Sequence, residues 1–184
     1  MNLAVSLGIP PADLPQTARN ILNGQLNAPA FLPAPAPLTG WPGDLYLGGQ
    51  TFRLVIASLA VEEVLLEEFE RTQDRDFYRM ARDRILSFAQ WEAQQTQPIA
   101  FLWNDHAVAA RIPVLIRLWR QLRMDHEATP EQHAELIALV ERSGRLLAKD
   151  SQFTVRTNHG VMQNIALLQI SAGFPTIEES KQWR

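Results

Sequence analysis

Proline is concentrated at the front of this chain, and that distribution limits what the front can become. Eight of its twelve prolines fall at or before Pro42, and Pro33, Pro35, Pro37 and Pro42 crowd one short stretch. Each fixes φ and removes a backbone donor, so residues 27–50 are expected as an extended, turn-rich arm with few regular hydrogen bonds. Phe31, Leu32, Leu38, Trp41, Leu45 and Tyr46 give that arm apolar groups with which to dock. A short helix over residues 12–22, capped by Asp13, is expected ahead of it. The first segment is therefore 1–50, a Pro-rich arm with a short helix.

From Thr51 the apolar residues recur every three or four positions, the spacing of a helix that buries one face. Phe52, Val55, Ile56, Leu59, Val64 and Leu65 trace a first helix. The glutamates at 62, 63, 67, 68 and 70 read as its solvated end. Asp74 opens a second, with Phe77, Met80, Ala81, Ile85, Phe88 and Trp91 inward. Asn104 or Asp105 caps a third, which carries Val108, Ile112, Leu115, Trp119 and Leu122 inward and Pro113 in its middle, where a kink near Ala109 is expected. Thr129-Pro130-Glu131-Gln132 combines a cap, a first-turn proline and a glutamine at N3, so a fourth helix starts there. A fifth spans about His159 to Ala172, with Val161, Ile165, Leu168 and Ala172 on its inward face, and stops at Gly173-Phe174-Pro175. Thr176-Ile177-Glu178-Glu179 resembles a capping box for a sixth helix that nothing would bury. No strand-like alternation competes. The expectation is an all-α chain of antiparallel helix pairs over 51–184, forming the front part of a longer helical domain.

Composition removes several functions. With 17 basic and 20 acidic residues the net charge is −3, the wrong sign for a duplex-binding domain. Zero cysteines exclude a disulfide framework, a thiolate metal site and a Cys nucleophile. No apolar stretch is long enough to span a bilayer, and the first fifteen residues lack the basic start of a signal peptide. HExxH, Walker A, GxGxxG and GxSxG do not occur, so no metal or cofactor is expected. His126 and His133 flank one loop and read as surface histidines. Arg117, Arg120 and Arg123 read as a solvated helix face more readily than as an anion site.

Two clusters stand apart from the packing pattern. One is Phe101-Leu102-Trp103-Asn104-Asp105-His106, followed by Arg111. The bland account of it is a cap, a satisfied histidine and a surface arginine. The other is Arg156-Thr157-Asn158-His159-Gly160, with Gln163 one turn on. Thr157 or Asn158 can cap the fifth helix, placing His159 in or beside its first turn. The positive end of a helix disfavours an imidazolium, which keeps such a histidine able to accept a proton. Asn158 offers an amide donor where an anion is already favoured. A cap beside a structural histidine is the competing account.

The segments WNDHAVAAR and RTNHGVMQNIALLQIS, about fifty residues apart, resemble the N-terminal helical domain of heparinase II/III-like polysaccharide lyases, a family that includes alginate lyases. The leader TARNILNGQLNAP is similar to that family's entry segment. The resemblance implies part of an (α/α) toroid, normally followed by a β-sandwich domain, and β-elimination at a uronic acid. It also implies that Asn158 neutralises the uronate carboxylate and that His159 is the general base, alone or shared with a tyrosine. Asn104, Asp105, His106, Arg111 and Gln163 would line the sugar subsites, and the partner would be an anionic polysaccharide met outside the cytoplasm. The chain departs from the family pattern in its tyrosines. Only Tyr46 and Tyr78 occur, both ahead of the Asn-His step, whereas the family's catalytic tyrosine follows it. These 184 residues alone are thus expected to be weak or inactive. A non-catalytic helical module that binds polysaccharide or protein is the alternative, and a hydrolase with paired carboxylates ranks below both because no partner for Asp105 presents itself.

Overall fold

The computed structural model describes residues 6–97, 99, 101–149 and 158–183. Among these the chain is overwhelmingly helical, as the periodicity requires. The helices are α1 (Leu14–Leu22), α2 (Gln50–Ala57), α3 (Ala60–Thr72), α4 (Arg75–Ala93), α5 (Asp105–Met124), α6 (Pro130–Leu147) and α7 (Asn158–Gly173). α5 packs against both α3 and α7, giving one row of helices, while α4 and α6 form a second row across it. Short links join α3 to α4 and α5 to α6, so each pair runs antiparallel. The core lies between the rows and includes Leu65, Ile85, Phe88, Ile112, Leu115, Leu139 and Ile170. No described helix is long and apolar enough to cross a membrane.

The proline-rich arm docks through most of the apolar groups expected of it, with Tyr46 the exception at 53% exposed. Leu26, Leu32 and Leu45 are buried, and Trp41 meets Phe88 edge-on at 4.6 Å and stacks on Trp91 at 5.8 Å. Its regular structure is limited to β1 (Gln25–Leu26) paired antiparallel with β2 (Ala36–Pro37), Gln25 opposite Pro37, and a 3₁₀ turn at Gly43–Tyr46. Asp44 anchors the arm from inside. One oxygen accepts from the backbone N–H groups of Thr39 (2.7 Å) and Gly40 (3.0 Å), and the other from Arg84 Nη2 at 3.0 Å. Arg84 Nε donates to Glu62 at 2.8 Å. Burial opposes the Arg84 charge, but Glu62 and Asp44 outweigh it and raise its pKa above the usual arginine value. Asp13 precedes α1 without the expected side-chain cap bond.

Several helix starts form as the sequence prescribes. Asp74 accepts from the N–H of Asp76, and Asn104 accepts from those of His106 and Ala107. Thr129 and Gln132 complete a reciprocal capping box. Pro113 is accommodated inside an uninterrupted α5. A further tie joins the start of α4 to the α5–α6 link: Asp125 accepts from Tyr78 Oη at 2.9 Å and from Arg75 Nη2 at 2.6 Å.

Four further expectations are corrected. The helix expected to run on from Thr51 breaks at Leu59, which takes a left-handed conformation (φ 64°) and divides α2 from α3. The glutamate cluster is not uniformly solvated: Glu62 and Glu68 are both buried, Glu62 on Arg84 and Glu68 on Arg71 at 2.6 and 2.8 Å. α7 is rotated from the face the pattern suggested. It buries Gly160, Gln163, Ala166, Leu167 and Ile170, and leaves Val161 and Leu168 each 52% exposed. The segment after α7 is held rather than bare. It forms a 3₁₀ helix, Glu178–Trp183, on which Ser180 is buried and its carbonyl accepts from Ser171 Oγ at 2.6 Å. Gly144 allows the close approach of Trp183 to α6, since a Cβ there would lie 2.4 Å from the indole.

Candidate functional site

The first turns of α5 and α7 bring the two sequence clusters together. His159 Nδ1 lies 3.1 Å from Asp105 Oδ2, a contact between residues 54 apart in sequence. Asp105 belongs to the start of α5 because Asn104 caps it, and a carboxylate is favoured at that positive helix end. With its proton on Nδ1, His159 donates to Asp105 and presents Nε2 as the acceptor. The His159 side chain is 37% exposed and that of Asp105 only 12%, so the carboxylate orients the ring from behind while the ring reaches solvent. His106 packs edge-on against His159 with centroids 5.0 Å apart. Burial and then the neighbouring His159 lower the His106 pKa, and Asp105 opposes them. Asn158 is exposed at the head of α7. Arg156 and Thr157 lie outside the described residues.

Thus Asp105, His106, Asn158 and His159 occupy facing helix starts, with Asn104 serving as the α5 cap. Two other expected residues do not share that surface. Gln163 is fully buried on the packed side of α7. Arg111 is 1% exposed, donates from Nη2 to the Leu102 carbonyl at 2.5 Å, and lies 4.9 Å over the Phe88 ring. Six residues on from Asp105 is a rotation of about 240°, which carries Arg111 away from α7 and toward α4 and α6. Gln163 is therefore interior, and Arg111 lies away from the surface formed by the starts of α5 and α7.

The interior position of Arg111 exposes something the sequence did not signal. Together with Glu92, Trp103, Arg142, Arg145 and Lys149 it lines a cavity of about 370 Å³ between α4, α5 and α6. Glu92 accepts from Trp103 Nε1 at 2.9 Å and from Arg142 Nε at 2.7 Å. Burial pushes the Arg111 pKa down to about 10, Glu92 partly restoring it and Arg142 lowering it further, so the side chain is still a cation at neutral pH. The clue available in sequence was an arginine at the centre of an apolar stripe.

A larger cavity, about 560 Å³, lies away from the Asp105–His159 pair, along the C-terminal halves of α5 and α7. Its Arg117 is 3.7 Å from Glu63 and 3.3 Å from Glu70, and Arg123 sits over Trp119. Its inner arginine has both carboxylates within ion-pair distance, although its Nη1 is buried without a hydrogen-bond acceptor. Among the described residues no group of three or more histidines and carboxylates is placed to hold a metal ion.

No family model, curated protein or solved structure matches this chain.

Proposed function

We propose that the facing starts of α5 and α7 bind a uronic-acid-containing polysaccharide and present the base for its β-elimination, as part of an (α/α) toroid of the heparinase II/III-like kind. The observation that carries the reading is the Asp105–His159 contact at 3.1 Å beside an exposed Asn158. A proton α to an ionised carboxylate is hard to remove. An amide donor on that carboxylate, at the positive end of α7, stabilises the charge that develops there. His159 Nε2 then takes the C5 proton, and the electron pair forms the C4–C5 double bond. The C4–O bond breaks, and its oxygen takes up a proton from water. Asp105 holds the ring in the tautomer this requires.

The proton for the leaving oxygen limits this chain. Tyr78 is buried and donates to Asp125, with its pKa pushed up by burial and then by that carboxylate. Tyr46 is exposed beside the Arg53 guanidinium. The commitment of Tyr78 favours a second reading, binding of the polymer without turnover.

The test is incubation of the chain with alginate, polygalacturonate and heparin, following both binding and the near-ultraviolet absorbance of the unsaturated product. Elimination, however slow, should fall by about 10²-fold or more in His159→Ala, and binding should weaken in Asn158→Ala, with helical circular dichroism unchanged. Saturable, salt-sensitive binding with no product supports the second reading. Full binding and turnover in both variants would remove the site assignment.

A further inference from the structure

Arg111 is the most unusual charge in the molecule. A buried cation is ordinarily met by a carboxylate, yet among the described residues none lies within 4.0 Å of this one. Its Nη2 has the Leu102 carbonyl, while its Nε is buried with no acceptor. The nearest candidate counter-ion, Glu92, is already held by Arg142 and Trp103. Of the other cations around the cavity, Arg145 is engaged by Glu141 and Glu179. Lys149 at the rim has no carboxylate within 4.0 Å among the described residues. Arg111 and Lys149 are thus the two cations around this concavity that no carboxylate meets directly, in a chain whose net charge is negative.

The rest of the lining indicates what kind of anion would answer them. The Trp103 N–H is committed to Glu92, which fixes an indole at the cavity wall. Gln95 and Ser143 add polar groups beside it. An aromatic wall, a few amide and hydroxyl groups, and a guanidinium floor suit a sugar ring bearing a carboxylate, for which the arginine fork is the better partner than lysine. The volume, about 370 Å³, is in the range of small-molecule sites.

We propose that this cavity is a binding site for a sugar carboxylate of about monosaccharide size, with Arg111 at its floor and Lys149 at its rim. It lies on the opposite side of α5 from His159 and uses none of the residues assigned to elimination. The proposal therefore stands or falls on its own observations.

The experiment is a titration of the ¹⁵N-labelled chain with sodium glucuronate, following the arginine Nε–H resonances, with glucose and sodium sulfate as parallel probes. Saturable movement of the Arg111 Nε–H signal with glucuronate and not with glucose is expected. Lys149→Ala should weaken binding by up to about fivefold, Arg111→Met by at least about tenfold, and Arg120→Ala, which lies outside this cavity, should leave it unchanged. Sulfate binding as tightly as glucuronate would overturn the sugar specificity. Loss of binding in His159→Ala with full retention in Lys149→Ala would move the ligand to the α5 and α7 starts, overturning the cavity and leaving the elimination reading intact. An unmoved Arg111 signal in the wild-type chain, which depends on no variant folding, would overturn the proposal outright.

Discussion

Arg84 and Arg111 are two buried arginines within one small core, and their surroundings differ sharply. Arg84 reaches Glu62 at 2.8 Å and Asp44 at 3.0 Å, and its own carbonyl accepts from Trp41 Nε1 at 3.2 Å. Arg111 has a carbonyl, an aromatic face and an unanswered Nε. The first arrangement is closed. It joins the proline-rich arm to α3 and α4, with one guanidinium shared between two buried carboxylates. The second is open on the side of a cavity. Burial alone does not make an arginine structural; what meets its donors does. Where partners from two other segments converge on it, as at Arg84, the side chain is a staple; at Arg111 they do not converge.

The largest expected effect breaks the staple. Arg84→Met leaves Asp44 and Glu62 buried without their cation, and should cost about 3–5 kcal/mol in denaturant unfolding. The arm should become susceptible to proteolysis before the helices do, because Asp44 is its inner anchor. A smaller effect is expected at the Asp125 tie. Asp125 accepts from Tyr78 and Arg75, and Asp125→Asn should cost about 1.5–3 kcal/mol at neutral pH. Burial raises the Asp125 pKa, but the bonds from Tyr78 and Arg75 outweigh it and leave it below the ordinary carboxylate value. Its contribution is thus complete above the unfolded-state pKa of about 3.9 and is lost as pH falls through the lower folded value. Unfolding midpoints of the wild type and Asp125→Asn should therefore converge as the pH is taken below about 4. A constant gap across that range would mean that the tie acts through packing rather than charge.

The features legible in sequence are those decided within a few residues. Asp74, Asn104 and the Thr129–Gln132 box announce their helices because a cap bonds to the next turn. The arm announces itself because proline acts on its own backbone. The buried ion ties were not legible: Glu62 and Arg84 are 22 residues apart, Asp44 and Arg84 are 40 apart, and nothing local distinguishes Glu62 from the exposed Glu67. The inward face of α7 was misread for a different reason. The helix is apolar on nearly all sides, with Ala166, Leu167 and Ile170 competing with Val161, Ile165 and Leu168, so periodicity cannot choose between them. Gly160 and Gln163 settle the choice only once α5 is present to receive them. At the site, sequence named Asp105, His106, Asn158 and His159 as members of two clusters, and the fold brings the clusters together. It also sent Arg111 to the other side of α5, which spacing along one helix could have indicated but composition could not.

The most direct measurement is a pair of unfolding curves at pH 7 for Arg84→Met and Arg111→Met, each with and without saturating glucuronate. The account predicts that Arg111→Met, which removes an unanswered charge and one bond to a carbonyl, stays within about 1 kcal/mol of the wild type without ligand. It further predicts that this variant forfeits the stabilisation the ligand gives the wild type, whereas Arg84→Met is strongly destabilised and still gains from ligand. If Arg111→Met unfolds as readily as Arg84→Met, and glucuronate stabilises neither variant nor the wild type, then Arg111 is a structural arginine like its neighbour and the distinction drawn between them is wrong.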